Sequence, residues 1–129
     1  MVSKLRTQRI AERIQQDLSQ LLLTEVHDPR LAGVTITGVK VDRELAFADI
    51  YFSCVEGSQR SAEILDGLNH AQGFLRTAMA KESELRVFPR LRFHWDPTPE
   101  NADRLEKIFE KLRRENEENQ QLSQFDENG

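Results

Sequence analysis

Arg6, Arg9 and Arg13 recur at spacings of three and four residues. On a helix that spacing lines three guanidinium groups along one face. A second set of cations, Arg76, Lys81, Arg86, Arg90 and Arg92, faces only Glu82 and Glu84 across residues 76–92. Surface cations at such spacings suit phosphate oxygens, and they equally suit a solvated helix face. Signals for covalent chemistry are sparse. His27, His70 and His94 are scattered, and none has a second ligand-type residue at the spacing of a zinc helix. His94 and Asp96 stand two residues apart on a strand pattern and so share a face. They could be a general acid/base pair or two solvated residues. Cys54 falls in the apolar phase of a strand, where a buried thiol is expected. There is no Walker glycine loop and no dinucleotide fingerprint, and no pair of acids suggests catalysis. Neither a catalytic residue nor a metal or other cofactor is expected.

The net charge of −4 looks adverse to nucleic acid, but its distribution matters more than its sum. Glu115, Glu117, Glu118, Asp126 and Glu127 crowd the last fifteen residues, which carry no Lys or Arg. Without them residues 1–114 stand at about +1. A single cysteine permits no intrachain disulfide, and a reducing cytoplasm is the expected location. No run approaches the roughly 20 apolar residues that span a bilayer, and no signal-peptide pattern opens the chain.

The elements that must position these residues follow from periodicity. Ile10, Ile14, Leu18, Leu21 and Leu22 predict an amphipathic helix that stops before Asp28-Pro29. Val34–Val41 reads as a strand whose alternation changes phase at Gly38, which predicts a bulge or a close backbone approach. A second strand puts Ala46, Ala48, Ile50, Phe52 and Cys54 on one face and Asp49, Tyr51 and Ser53 on the other. The two strands predict an antiparallel hairpin. Ser58 is expected to cap a helix carrying Ile64, Leu65, Leu68, Ala71, Leu75, Ala78 and Met79, with a kink or close packing at Gly73. Leu91, Phe93 and Trp95 alternate with Arg92, His94 and Asp96 in a third strand that follows Pro89. Thr98-Pro99-Glu100 starts a last helix through Leu105, Ile108, Phe109 and Leu112. Disorder is expected from about residue 116. The fold class is α+β, a two-layer sandwich with helices on one face of a small sheet. Its expected core is Ile14, Leu18, Ile50, Phe52, Leu65, Leu68, Leu75, Phe93 and Trp95.

Several short stretches follow one another in order: Arg6 and Arg9 in the first helix, Asp28-Pro29-Arg30-Leu31, Val39 and Val41, and Ala48 with Ile50-Tyr51-Phe52-Ser53. Ala71-Gln72-Gly73-Phe74-Leu75-Arg76 follows, then Leu85-Arg86, Pro89, Leu91, Phe93 and Trp95-Asp96. Together they resemble ribosome-binding factor A, the bacterial small-subunit maturation factor. The resemblance spans about residues 4–112. It implies a KH-like (type II) fold of order α-β-β-α-kink-α-β-α over residues 1–114, followed by an acidic disordered tail at 115–129. A conventional KH module clamps single-stranded RNA with a Gly-x-x-Gly loop. This chain has no such loop, and Ala71, Gln72 and Gly73 stand in its place as a helix-kink-helix. A tight kink presents fewer free N–H groups to phosphates than an open glycine loop, so docking on folded RNA through a basic surface is expected. The resemblance further implies a non-catalytic monomer that binds free or immature 30S subunits and 16S rRNA. It implies help with late processing near the 16S 5′ end, a link to cold adaptation, and no membrane association. The candidate RNA contacts are Arg6, Arg9, Arg13, Arg30, Arg43, Arg76, Lys81, Arg86, Arg90 and Arg92. Two rival readings stand beside this one. One is a KH-like protein-interaction module without RNA contact, and the other is a small enzyme using His94 and Asp96.

Overall fold

Ser3 starts the first element: its hydroxyl accepts the Arg6 N–H at 3.1 Å, so a side chain caps helix α1, Lys4–Thr24. Its buried residues Thr7, Ala11, Ile14 and Leu18 follow at four, three and four, a single stripe. The computed structural model describes the backbone of residues 1–127 and the side chains of residues 1–121. Beyond α1 the Asp28 carboxylate accepts the Arg30 N–H at 2.9 Å and begins a 3-10 turn, Pro29–Leu31, which buries Leu31.

Strands β1, Thr35–Val41, and β2, Phe47–Ser53, form the expected antiparallel hairpin. The register shifts between Ile36 and Gly38, leaving Thr37 as the extra residue of a bulge where the phase change predicted one. Strand β3, Arg90–Trp95, pairs parallel to β2, giving the order β1-β2-β3. A parallel neighbour demands a long crossover, which helix α2, Ser61–Lys81, supplies. The central strand buries Ala48, Ile50 and Phe52 almost completely against Ile14 and Leu18 of α1 and Ile64, Leu68 and Leu75 of α2. Leu91 and Phe93 complete this face, and Cys54 is buried as expected. Leu65 and Trp95, expected in the core, are only half-buried beside it. Trp95 meets Phe52 edge-on, with ring centroids 5.7 Å apart.

Side chains tie the two layers at strand carbonyls. Gln15 Nε2 of α1 donates to the Ile36 carbonyl at 3.1 Å, and Gln72 Nε2 of α2 donates to the Leu91 carbonyl at 2.6 Å. Arg76 donates to the Phe88 and Pro89 carbonyls at 2.7 and 3.3 Å, fastening the approach to β3. Arg60 reaches the Ala32 and Arg30 carbonyls at 2.8 and 3.2 Å and pairs with Glu56 and Glu63, which anchors the 3-10 turn to the start of α2.

The helix-kink-helix expectation needs correction: α2 is one unbroken helix, and Ala71, Gln72 and Gly73 lie inside it. An interior glycine costs about 1 kcal/mol, whereas burying Leu75 and Met79 beyond it gains about 1.5–3 kcal/mol each, so packing holds the helix together. Close packing occurs at Gly67: a Cβ there would sit 2.8 Å from Leu31 Cδ2, while one at Gly73 would meet nothing within 4 Å. Ser58 lies in a separate 3-10 turn, Ser58–Arg60, and α2 begins without a side-chain cap. Separately, the chain divides into two compact units, the first Met1–Asp96 and the second opening at Pro97. That unit carries helix α3, Thr98–Glu127. Residues 128 and 129 lie outside the described residues. Glu, Gln, Lys, Arg and Leu are good helix formers, and the Asp103–Lys107 and Glu110–Arg114 pairs at i, i+4 add to this. On α3, Leu105, Ile108, Phe109 and Leu112 remain 46–58% exposed.

The glycines separate under substitution. Gly73→Ala should raise stability by about 0.5–1 kcal/mol through helix propensity alone. Gly67→Ala should lower it by about 1 kcal/mol or more, because overpacking against Leu31 outweighs that gain. Urea denaturation followed by circular dichroism reads both. Arg76→Ala should cost about 2 kcal/mol, since it strips charged donors from two carbonyls. Arg86→Ala, at an exposed position, should stay within about 0.5 kcal/mol in the same assay.

Candidate nucleic-acid interface

Arg6, Arg9 and Arg13 project from α1 into a groove of about 290 Å³. Ile10 and Ile14 of α1, Met79 of α2 and Phe88 give it an apolar floor, and residues 82–85 form the facing wall. The three arginines are exposed. Arg13 pairs with Asp17 through Nε at 3.0 Å, one turn along the helix. Arg6 and Arg9 have no ion pair among the described residues. Glu82 and Glu84 on the far wall offset part of the charge, so the groove is a mixed surface with an arginine rim. Lys81 and Arg86, beside that wall in sequence, and Arg90 at the start of β3 are likewise exposed and have no ion pair among the described residues.

The remaining candidates are engaged within the fold. Arg30 forks onto Asp28, with Nη2–Oδ2 at 2.7 Å, and this holds the Asp28 carboxyl below the usual carboxylate range. Arg43 donates to the Val2 carbonyl at 2.9 Å while its own carbonyl accepts the Val2 N–H, so it ties the start of the chain to the hairpin turn. Arg76 holds the approach to β3. Arg92 lies on the open sheet face and makes paired hydrogen bonds to Asp49 at 2.9 and 3.0 Å.

His94 and Asp96 do not pair as an acid and a base. His94 Nε2 lies 2.8 Å from Asp49 Oδ1, and a carboxylate can only accept, so the ring donates there. Asp96 accepts from the Thr37 hydroxyl at 2.6 Å, fastening the bulge of β1 to the end of β3. Bonding from Arg92, seconded by His94, lowers the pKa of Asp49. No group of His, Cys, Asp and Glu among the described residues could hold a metal ion. Among the described residues no helix is long and apolar enough to cross a membrane.

The open sheet face also holds Lys40, Phe47, Asp49 and Tyr51, none of them among the expected contacts. Strand alternation already placed Asp49, Tyr51, Arg92 and His94 on outward faces. What it did not contain was the parallel β2–β3 register that sets Asp49 beside Arg92 and Tyr51 beside His94.

Comparison with known proteins agrees with this architecture. The profile of the family described as Ribosome-binding factor A matches residues 6–109. The ribosome-binding factor A of Alcanivorax borkumensis is 42% identical over 114 residues, covering 88% of this chain and 83% of its own. A Thermotoga maritima protein, provisionally designated a ribosome binding factor A in its solution structure, superposes with a TM-score of 0.64. It is 33% identical, over 73% of this chain and 90% of its own. Coordinates of the Thermus thermophilus ribosome binding factor A, fitted into a cryo-electron-microscopy map of its complex with the 30S particle, share the fold. Their TM-score is 0.55 at 23% identity, over 67% of this chain and 91% of theirs. With the matched profile covering most of its length and a relative above 40% identity, the chain belongs to the ribosome-binding factor A family.

Proposed function

We propose that this protein binds the free or immature 30S subunit as a monomer in the cytoplasm and assists late 16S rRNA maturation near the 5′ end, without catalysing a reaction. The observation that carries the reading is the family match over residues 6–109, together with a relative's fold fitted into a 30S complex. The geometry supports a basic docking surface. Arg6 and Arg9 on the groove rim, with Lys81, Arg86 and Arg90, are exposed cations without ion pairs among the described residues, and Arg13 extends the α1 stripe. Such groups can meet phosphates without first breaking an internal contact. Arg30, Arg43 and Arg76 serve the fold, so they act on RNA binding through shape. The enzyme reading loses its motivation, because His94 is held on an exposed face by Asp49.

Co-sedimentation with purified 30S, 50S and 70S particles tests the proposal. Preferential pelleting with 30S is expected, and equal partition among the three particles would sink it. Arg6→Glu with Arg9→Glu should weaken 30S binding about tenfold or more and flatten its dependence on salt, since each lost phosphate contact removes about 0.7–0.9 from the log–log salt slope. Unchanged binding and slope would move the docking surface away from α1.

A further inference from the structure

With both helices of the first unit on one side of the sheet, its other side is left open. Along it the register sets Arg90 beside Phe47, Lys40 and Arg92 on either side of Asp49, and Gly38 and His94 on either side of Tyr51. Phe47, Asp49 and Tyr51 are half-buried, while Lys40, Arg90, Arg92 and His94 are exposed. The Tyr51 and His94 rings lie 5.3 Å apart between centroids, with their planes tilted by 33°. Lys40 Nζ stands 5.6 Å from the Tyr51 centroid, and the Arg92 guanidinium lies 4.0 Å above the Phe47 ring.

The charge on this face is mixed. Asp42, which accepts the Phe47 N–H, and Asp96, which accepts the Thr37 hydroxyl, lie at its two ends, and Asp49 between them orders two neighbours by accepting from Arg92 and His94. A guanidinium has five N–H donors and Asp49 takes two, so Arg92 keeps donors for a further acceptor. Gly38 leaves the other flank of Tyr51 bare. Its backbone is not in the left-handed region, and a Cβ there would meet nothing within 4 Å. The missing side chain is therefore required neither by the backbone nor by packing.

Two ring faces held in place, with cations around them and open space alongside, match a nucleobase and its phosphates. Stacking on aromatic side chains tolerates any base, and neighbouring cations follow the backbone. We infer that the open face of the sheet is a second RNA-binding surface, which takes a short single-stranded segment by stacking a base against Tyr51 and His94 while Lys40, Arg90 and Arg92 meet its phosphates. This rests on the RNA-binding reading for the class of ligand only. Its residues are distinct from the α1 rim, and Arg90 is the one cation it shares with the docking surface proposed above.

Fluorescence anisotropy of the full chain with a labelled short oligouridylate tests the inference at low salt. Tyr51→Ala should weaken binding about tenfold, with Tyr51→Phe near the parent, because the ring face makes the contact. Gly38→Ile should also weaken it by filling the bare flank, with the circular dichroism spectrum unchanged. Photocrosslinking of the unmutated protein to an iodouridine-substituted oligouridylate gives a readout independent of folding. Adducts in peptides spanning 47–53 or 90–95 support the inference, and adducts confined to α1 overturn it. Parent-like binding by Tyr51→Ala overturns it too. In either case, retained 30S co-sedimentation leaves the proposed function standing.

Discussion

The parallel pairing of β2 with β3 is the constraint on which the rest of the molecule depends. A parallel neighbour cannot be reached by a tight turn, so the chain must leave β2, cross one face of the sheet and return. Helix α2 is that crossover, and its length suits the journey. Its apolar stripe then buries one face of the central strand, with α1 alongside. Gln72 and Arg76 stand one turn apart on α2, and both donate to carbonyls at or just before β3. The helix therefore positions the strand at its entry as well as covering it.

The same constraint divides the arginines. Cations near the crossover and its anchors, namely Arg60 and Arg76, are drawn into carbonyl contacts and lost to external ligands. Those on α1, on the stretch after α2 and on the outward phase of β3 remain exposed. In a small domain with few backbone layers, an arginine is both a charge and a source of five donors. Which role prevails depends on whether an unsatisfied carbonyl lies within reach.

Much of this was readable before any coordinates. Alternation placed Ala48, Ile50, Phe52, Leu91 and Phe93 inward, as observed, although Ala46 is exposed and Ser53, expected outward, is buried. The phase change at Gly38 located the bulge, because strand periodicity is a local property. The arginine stripe was equally local, since helical spacing alone sets its face. The break expected at Gly73 failed because the choice is made by tertiary packing: Leu75 and Met79 carry the helix through a weak residue, while the glycine that packs closely is Gly67, against a turn distant in sequence. The continuation of α3 through residues 115–127 was not legible for a different reason, since low hydrophobicity argues against a core and says less about a solvated helix. The pairing of Asp49 with Arg92 and His94 lay beyond sequence reasoning, because it needs a register between strands separated by the whole crossover.

The bulge at Thr37 has one more consequence. A three-stranded open sheet exposes the hydrogen-bonding edges of β1 and β3, and a regular edge strand is a template for a strand from another molecule. The extra residue interrupts the even spacing of donors and acceptors along β1, and Gln15 occupies the Ile36 carbonyl close beside it. Pro89 precedes β3, and Arg90 opens that strand with a charge. Both edges are thus poor partners for a fourth strand, which lets the sheet keep one face uncovered without inviting edge-to-edge aggregation.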